Sequence, residues 1–192
     1  VNIQNVSQIK WNSFIDNKEE GVYIVSLSST FDKNLNSLEK IKFNEEILKK
    51  WINKLPDFTI DGERVTIFSL KKRLSEFWLA DENILYIGKA PKRKNGDGIS
   101  NRIIEYYNTE IGDSGPHSGG QWIKVLENIE DFYIYYAICE NPTFIEKQLL
   151  NYFKNNISEK SKEMLFDKEL TLPFANINFG GNKKTGMKNQ RK

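Results

Sequence analysis

Two short apolar segments, each carrying a glycine and a tyrosine, constrain the fold of this chain most. They are Gly21-Val22-Tyr23 and Tyr86-Ile87-Gly88, and 62 residues (24–85) separate the two tyrosines. Side chains alternate along a strand, so Tyr23 shares a face with Val25, and Tyr86 shares one with Gly88. One antiparallel register places both phenols on the same side, and Gly88 then allows a backbone or a phosphate to approach closely. Core packing of ordinary sheet tyrosines explains the pair equally well.

The other periodic segments predict a mixed α/β fold. Between the two tyrosine strands, residues 26–83 have the pattern of a structured insertion: a helix that ends before Pro56, a hairpin turning at Asp61-Gly62, and a second helix capped by Ser69. The remaining segments are predicted as helices at 6–14, 99–107, 121–127 and 144–155 and as a strand at 132–139. Helix 144–155 is expected to bury Ile145, Leu149, Tyr152 and Phe153. We expect a small, mainly antiparallel sheet with helices packed against it.

Composition favours one globular domain in the cytoplasm. Of 192 residues, 39% are apolar and 28% are charged, and no apolar run approaches the roughly 20 residues of a membrane span. The opening residues 1–5 lack the basic leader and apolar segment of a signal peptide. Cys139 is the only cysteine, so no disulfide forms within the chain, and one cysteine with one histidine (His117) cannot make a zinc site alone.

The net charge of +2 says little about partners, but the basic residues are unevenly distributed. One cluster follows the second tyrosine strand: Lys89, Lys92, Arg93 and Lys94. Residues 179–192 form a basic tail without acidic residues, and its last six residues are expected to fray.

Arg102 is the first candidate for phosphate chemistry. In the predicted helix, Ile99, Ile103 and Tyr107 form one stripe, and Arg102 lies on a different side together with Glu105 and with Tyr106 one turn later. An arginine in this position can bind a phosphate in a forked geometry and stabilise charge that develops during phosphoryl transfer. A solvated surface arginine is the alternative.

Glu146 is the candidate metal ligand. A carboxylate suits Mg²⁺, a hard cation that often takes one or two protein carboxylates and keeps several waters. Thr143 and Glu146 also match a capping box, in which Glu146 only satisfies the helix start. Asn141 as the N-cap with Pro142 in the first helical position is an equally good start and frees Glu146 to project. The spacing alone leaves both interpretations open.

Taken in order, these residues resemble the GIY-YIG nuclease family, in the manner of a bacterial restriction endonuclease. The matching landmarks are Gly21-Val22-Tyr23, Tyr86-Ile87-Gly88-Lys89, Arg102, Glu146, Asn176 and the loop Pro116-His117-Ser118-Gly119-Gly120. The resemblance runs from about residue 20 to residue 178, outside the insertion. Two features depart from the family: the long separation between the tyrosine strands, and Tyr106 where many members carry a histidine.

The resemblance implies one nuclease domain over residues 1–178, with a three-stranded antiparallel sheet, that hydrolyses DNA phosphodiester bonds. Glu146 would hold a single Mg²⁺, Arg102 would brace the phosphate, and Tyr23 would deprotonate the attacking water directly or in a relay with Tyr86. A phenol with an ordinary pKa near 10 is a poor base at neutral pH, so Lys89, Arg102 or the metal would have to favour the phenolate. In this resemblance Tyr106 would contact a phosphate or relay a proton.

We therefore expect a Mg²⁺-dependent endonuclease acting on double-stranded DNA. The expected DNA contacts are Lys89, Lys92, Arg93, Lys94, His117 and Asn176, with Lys71, Lys72 and Arg73 of the insertion as further candidates. One alternative is a non-catalytic or partner-dependent DNA-binding module with the same fold. A small-molecule enzyme or an interaction domain is another, and Trp51 and Trp78 of the insertion would then serve a homodimer interface unless they pack on each other.

Overall fold

A computed structural model gives the structure of residues 5–30, 40–93, 98–115, 119–180, 182–184 and 187–190. The strands are Ser7–Lys10 (β1), Gly21–Ser26 (β2), Asp57–Ile60 (β3), Glu63–Arg64 (β4), Ile84–Ala90 (β5), Tyr133–Ile138 (β6), Asn178–Phe179 (β7), Asn182–Lys183 (β8) and Met187–Gln190 (β9). The α-helices are Glu45–Lys54 (α1), Ile67–Ser75 (α2), Gly98–Asn108 (α3), Pro142–Asn155 (α4) and Glu159–Glu163 (α5), and 3-10 helices span Gly119–Val125 and Ile129–Asp131. Within these ranges no helix is long and apolar enough to cross a membrane.

The central sheet is antiparallel, and its strands follow the order β1-β6-β2-β5. The expected mixed α/β fold with a small antiparallel sheet is confirmed, but the sheet has four strands instead of three. The fourth is β1, within the segment 6–14 that the sequence predicted as a helix. Asn5 and Asn12 adopt left-handed backbone angles on either side of it (φ 59° and 66°), and the outer edge of β6 supplies the hydrogen-bond partners that hold it extended.

Helices pack on both faces of the sheet. α3 lies on the face that carries Tyr23, and α4 lies on the other face, where Leu150 and Phe153 pack with Ile87. The predicted buried stripe of α4 is therefore only partly right, because Tyr152 is 67% exposed. Apolar residues extend around most of α4, so periodicity could not show which part of that wide apolar surface the sheet covers.

The insertion between β2 and β5 contains a helix, a hairpin and a second helix, as the sequence predicted. α2 begins earlier than expected. Thr66 is its N-cap and accepts a hydrogen bond from the Ser69 amide (3.1 Å), while the Ser69 hydroxyl accepts one from the Thr66 amide (2.9 Å). Both residues can cap a helix, and this reciprocal box lets Ile67 enter the first turn.

The insertion shares its core with the rest of the domain. Leu48, Leu70 and Leu74 belong to the same buried cluster as Tyr23. The tryptophans do not pack on each other as expected: the ring of Trp51 lies 5.1 Å from that of Phe58, and Trp78 packs against Phe174 beyond the insertion.

The C-terminal segment also joins the insertion. β9 pairs antiparallel with β3, so residues 187–190 form a strand where the sequence predicted fraying. The free edge of β3 provides backbone hydrogen bonds that a local pattern cannot indicate.

The side chain of Lys184 is buried and holds the C-terminal segment against residues 173–174. It is 4% exposed, and its ammonium donates hydrogen bonds to the carbonyls of Pro173 (2.9 Å) and Phe174 (2.8 Å) and lies 5.3 Å from the ring centre of Phe77. Burial lowers the pKa of Lys184 well below its ordinary value of 10.5. The folded protein therefore loses this proton at a lower pH than the unfolded chain does.

This difference predicts a pH-dependent contribution to stability. Between the lowered pKa and 10.5, the unfolded chain binds more protons at Lys184, so the free energy of unfolding rises with pH. We expect the stability of the wild-type protein relative to a Lys184→Met variant to increase from neutral pH towards 10.5, measured by urea denaturation. Other titrating groups are common to both proteins and cancel. A stability difference that stays constant or falls over this interval would contradict the prediction.

Candidate active site

Tyr23 and Tyr86 lie on the same face of the sheet, as expected. Tyr23 is opposite Gly88 in the β2–β5 register, and the two ring centres are 5.8 Å apart. A Cβ atom on Gly88 would lie 2.6 Å from Cζ of Tyr23 and 2.5 Å from Cε1 of Tyr86. Gly88 therefore makes room for the two phenols, and not for a backbone or a phosphate as the sequence suggested.

Tyr106 completes a cluster of three tyrosines. Its ring centre lies 5.4 Å from that of Tyr86 and 6.3 Å from that of Tyr23, and its hydroxyl donates to the carbonyl of Gly120 (2.7 Å). The predicted stripe of α3 is corrected here, because Tyr106 is fully buried and Tyr107 is half-buried. Its ring lies inside the core and packs against the other two phenols, and the part in catalysis expected of Tyr106 stays a prediction.

The three phenols are neutral at neutral pH, because burial raises the pKa of each, Tyr106 included, above its ordinary value. Burial, with a smaller effect of the neighbouring phenol of Tyr86, raises the pKa of Tyr23 well above its ordinary value. Burial raises the pKa of Tyr86 to about 12. Arg102 is the cation that lowers the pKa of both groups, but burial outweighs it. Tyr23 and Tyr86 therefore offer hydroxyl donors and acceptors in this state, and neither is a ready base.

Glu146 does not cap its helix. The Asn141 side chain accepts a hydrogen bond from the Phe144 amide (3.3 Å), and Pro142 occupies the first turn of α4. Of the two interpretations that the sequence left open, the structure selects Asn141 as the cap. Glu146 instead forms an ion pair with Lys89 of β5, with 2.8 Å between Nζ of Lys89 and Oε2 of Glu146. The glutamate side chain is 20% exposed.

A polar cavity of about 330 Å³ opens beside this ion pair. Its lining residues are Tyr86, Lys89, Glu146, Leu150, Asn176, Ile177, Asn178, Phe179 and Gly180. Among them Glu146 is the only carboxylate, and the described residues contain no group of three histidine, cysteine or acidic side chains that could hold a metal ion. One carboxylate beside an open polar cavity suits Mg²⁺, which keeps most of its waters, and does not suit a closed zinc site.

Asn176 lines this cavity, and its side chain is hydrogen bonded to the backbone of β5. Its side-chain oxygen accepts from the Ile87 amide (2.9 Å), and its side-chain nitrogen donates to the Ile87 carbonyl (2.8 Å). Asn176 is buried, and it ties the chain after Phe174 to the outer edge of β5. Asn176 therefore forms a fixed part of the cavity wall, and its expected direct contact with DNA stays a prediction.

The basic residues after β5 take different positions. Arg93 and Arg102 both contact the carboxylate of Glu105, and the side chain of Lys92 is exposed. Lys94 and His117 lie outside the described residues.

Of the three candidate DNA contacts in the insertion, one is buried, one forms an ion pair and one is exposed. Arg73 is buried, pairs with Asp61 and Glu76, and lies 4.3 Å above the ring of Phe166, so it holds the fold together. Lys71 pairs with Glu45. Lys72 is the exposed one of the three candidates.

Two features of the site escaped the sequence analysis. Glu105 bridges two arginines, and residues 177–180 form the far wall of the cavity. The three-residue spacing from Arg102 to Glu105 in a helix was a usable signal for one half of the bridge. No sequence pattern connected Glu105 to Arg93, or residues 177–180 to Glu146.

In comparisons with known proteins, no protein-family model, no curated protein and no solved structure matches this chain. Its function therefore has to be argued from its own residues.

Proposed function

We propose that this chain is a Mg²⁺-dependent endonuclease of the GIY-YIG type, acting on double-stranded DNA as a bacterial restriction-type enzyme. One observation carries the proposal: Tyr86 of β5 packs against Tyr23 of β2 and at the same time lines the cavity that holds Glu146 and Lys89. Arg102 is close enough to lower the pKa of both phenols. Tyr86, Lys89 and Glu146 thus lie around one cavity, with Tyr23 packed against Tyr86, and this arrangement supports the proposal.

The chemistry assigned to these residues is phosphodiester hydrolysis. Water oxygen forms a bond to phosphorus while the bond from phosphorus to the 3′ oxygen breaks, and the leaving oxygen takes up a proton from solvent. Arg102 binds the phosphate and stabilises the negative charge that spreads over its oxygens. Glu146 would hold Mg²⁺, which when bound neutralises charge on the phosphate and the leaving group.

The tyrosines orient the attacking water in this proposal. Tyr86 borders the cavity and is 8% exposed, whereas Tyr23 is 1% exposed and packs against Tyr86. Because the pKa of Tyr86 is about 12, its hydroxyl is suited to positioning a water and not to holding the proton that the water loses. This modifies the role of Tyr23 as the direct base, and the proton passes to solvent in the open cavity.

Cleavage of DNA by the purified protein tests the proposal. Plasmid and phage DNA are incubated with the protein in Mg²⁺, and in parallel with EDTA. We expect discrete fragments in Mg²⁺ and intact DNA in EDTA, because one carboxylate without a divalent cation cannot neutralise the transition state. A mock purification from the same host serves as the control for contaminating nucleases.

Two other outcomes would overturn the proposal. Binding of duplex DNA without cleavage, with an affinity that falls steeply with salt, would support the non-catalytic DNA-binding module. If the protein neither cleaves nor binds DNA, both the nuclease and the DNA-binding module are refuted, and the function is unrelated to DNA.

A further inference from the structure

Glu105 joins two arginines that come from different parts of the chain. Arg93 lies just after β5, and its guanidinium contacts both oxygens of the Glu105 carboxylate, with Nη2 at 3.0 Å from Oε2. Arg102 lies one turn before Glu105 on α3, and its Nη1 is 3.0 Å from the same Oε2. The carboxylate is thus shared, and it fixes the two guanidinium groups relative to each other.

Glu105 and Arg102 are more deeply buried than Arg93. Glu105 and Arg102 are 22% and 21% exposed, whereas Arg93 is 43% exposed. The inner arginine is the one whose charge reaches Tyr23 and Tyr86, and the outer one faces solvent. Two guanidinium groups and one carboxylate leave one positive charge, so an anion remains attracted to the group as a whole.

The hydrogen-bonding geometry of the two guanidinium groups favours a phosphate ester as the anion that binds here. A guanidinium carries five N–H donors in a planar fork, so one arginine can bind a carboxylate and a phosphate oxygen at the same time. An arginine held by a carboxylate also loses less side-chain freedom on binding than an unrestrained one, which places it accurately for a reacting group.

We propose that Glu105 is the positioning residue of a two-phosphate clamp, in which Arg102 contacts the phosphate that is cleaved and Arg93 contacts the next phosphate of the same strand. The inference rests on the proposed nuclease function and restricts the substrate to strands that present two neighbouring phosphates. The site then takes a polynucleotide with consecutive phosphates, and an isolated phosphodiester uses only the inner half of the clamp.

A positioning role and a purely electrostatic role for Glu105 make opposite predictions. An acid near bound DNA repels phosphate, so Glu105→Gln would raise both affinity and cleavage rate if repulsion were its only effect. If Glu105 positions Arg102, the variant binds DNA at least as tightly, since a negative charge is gone, but cleaves it more slowly, since the guanidinium is no longer fixed. We expect cleavage to fall by about tenfold to a hundredfold.

The experiment measures affinity and rate separately for each variant. Affinity for a short duplex containing a mapped cleavage site is measured in EDTA by fluorescence anisotropy over a series of salt concentrations, and single-turnover cleavage is measured in Mg²⁺. Arg93→Ala is expected to reduce the slope of log affinity against log salt by about one, because one phosphate contact is lost. Arg93→Lys is expected to restore most of that slope.

Matched controls come from α5. Glu159→Gln removes another ion pair with three-residue spacing, to Lys162 (2.6 Å), from a surface helix, and Lys160→Ala removes an exposed cation from the same helix. Neither is expected to change the cleavage rate.

Two results would overturn the clamp while leaving the nuclease function intact: cleavage by Glu105→Gln at or above the wild-type rate, or an unchanged salt slope for Arg93→Ala. Failure of the wild-type protein to cleave DNA would instead refute the proposed function itself, so the two failures are distinguishable.

Discussion

Replacing Glu146 by glutamine is expected to lower the rate of DNA cleavage by about a thousandfold or more. The amide keeps the shape of the side chain but removes the negative charge beside the cavity, and a catalytic metal contributes several kcal/mol of charge stabilisation in the transition state. Each ~1.4 kcal/mol corresponds to a factor of ten in rate, so a loss of three decades is the natural scale. The measurement is single-turnover cleavage of plasmid DNA in Mg²⁺, with variant and wild type at equal concentration.

The fold should tolerate this change. Glu146 and Lys89 form a partly exposed pair, with side chains 20% and 35% exposed, and such pairs contribute at most about 1 kcal/mol to stability. We therefore expect the Glu146→Gln variant to unfold within a few degrees of the wild-type protein, and Glu159→Gln to match wild type in both stability and cleavage. Cleavage by Glu146→Gln at the wild-type rate would show that the cavity beside β5 is not the active site.

Asn176→Ala is expected to have the largest effect on stability, about 2–4 kcal/mol of unfolding free energy. The side chain satisfies both the amide and the carbonyl of Ile87, at 2.9 and 2.8 Å in a buried position, and its loss leaves two backbone groups without their partner. For a domain of this size that corresponds to a drop in melting temperature of about 5–15 °C. Thermal and urea denaturation measure it.

Asn156→Ala provides the comparison. The Asn156 side chain also donates to a backbone carbonyl, that of Tyr152 (2.7 Å), but it is exposed just after the end of α4, where water replaces the lost bond. We expect its cost to stay within about 0.5 kcal/mol. If Asn176 contacts DNA directly instead of bracing β5, Asn176→Ala will keep the wild-type stability and lose affinity for DNA, and the structural role is then wrong.

Local patterns predicted the elements of the fold well where the relevant contacts are close in sequence. Alternation showed that one antiparallel register puts Tyr23 and Tyr86 on the same sheet face, and this register is the one that forms. The helix–hairpin–helix order of the insertion followed from apolar periodicity and the Asp61-Gly62 turn. The capping signals of α4 were also visible, although two of them competed. Such features depend on backbone geometry over two to four residues, which a sequence displays directly.

Local patterns failed where one segment depends on a distant partner. β1 is extended because the edge of β6 binds it, and residues 187–190 are extended because β3 does. Arg73 was a candidate DNA contact from its place on a predicted helix, but in the fold it is buried beside Asp61, Glu76 and the ring of Phe166.

The two tyrosine segments show the same division within the candidate site. The sequence by itself determined that they are strands, that one antiparallel register would put both phenols on the same face, and that an arginine and a glutamate follow in an order typical of one nuclease family. Only the tertiary structure decided that Gly88 makes room for the phenols, that Tyr106 supports them from the core, and that Glu105 links Arg93 to Arg102. Side-chain periodicity fixes which face a residue occupies, whereas burial, pKa and pairing depend on what the rest of the chain brings to that face.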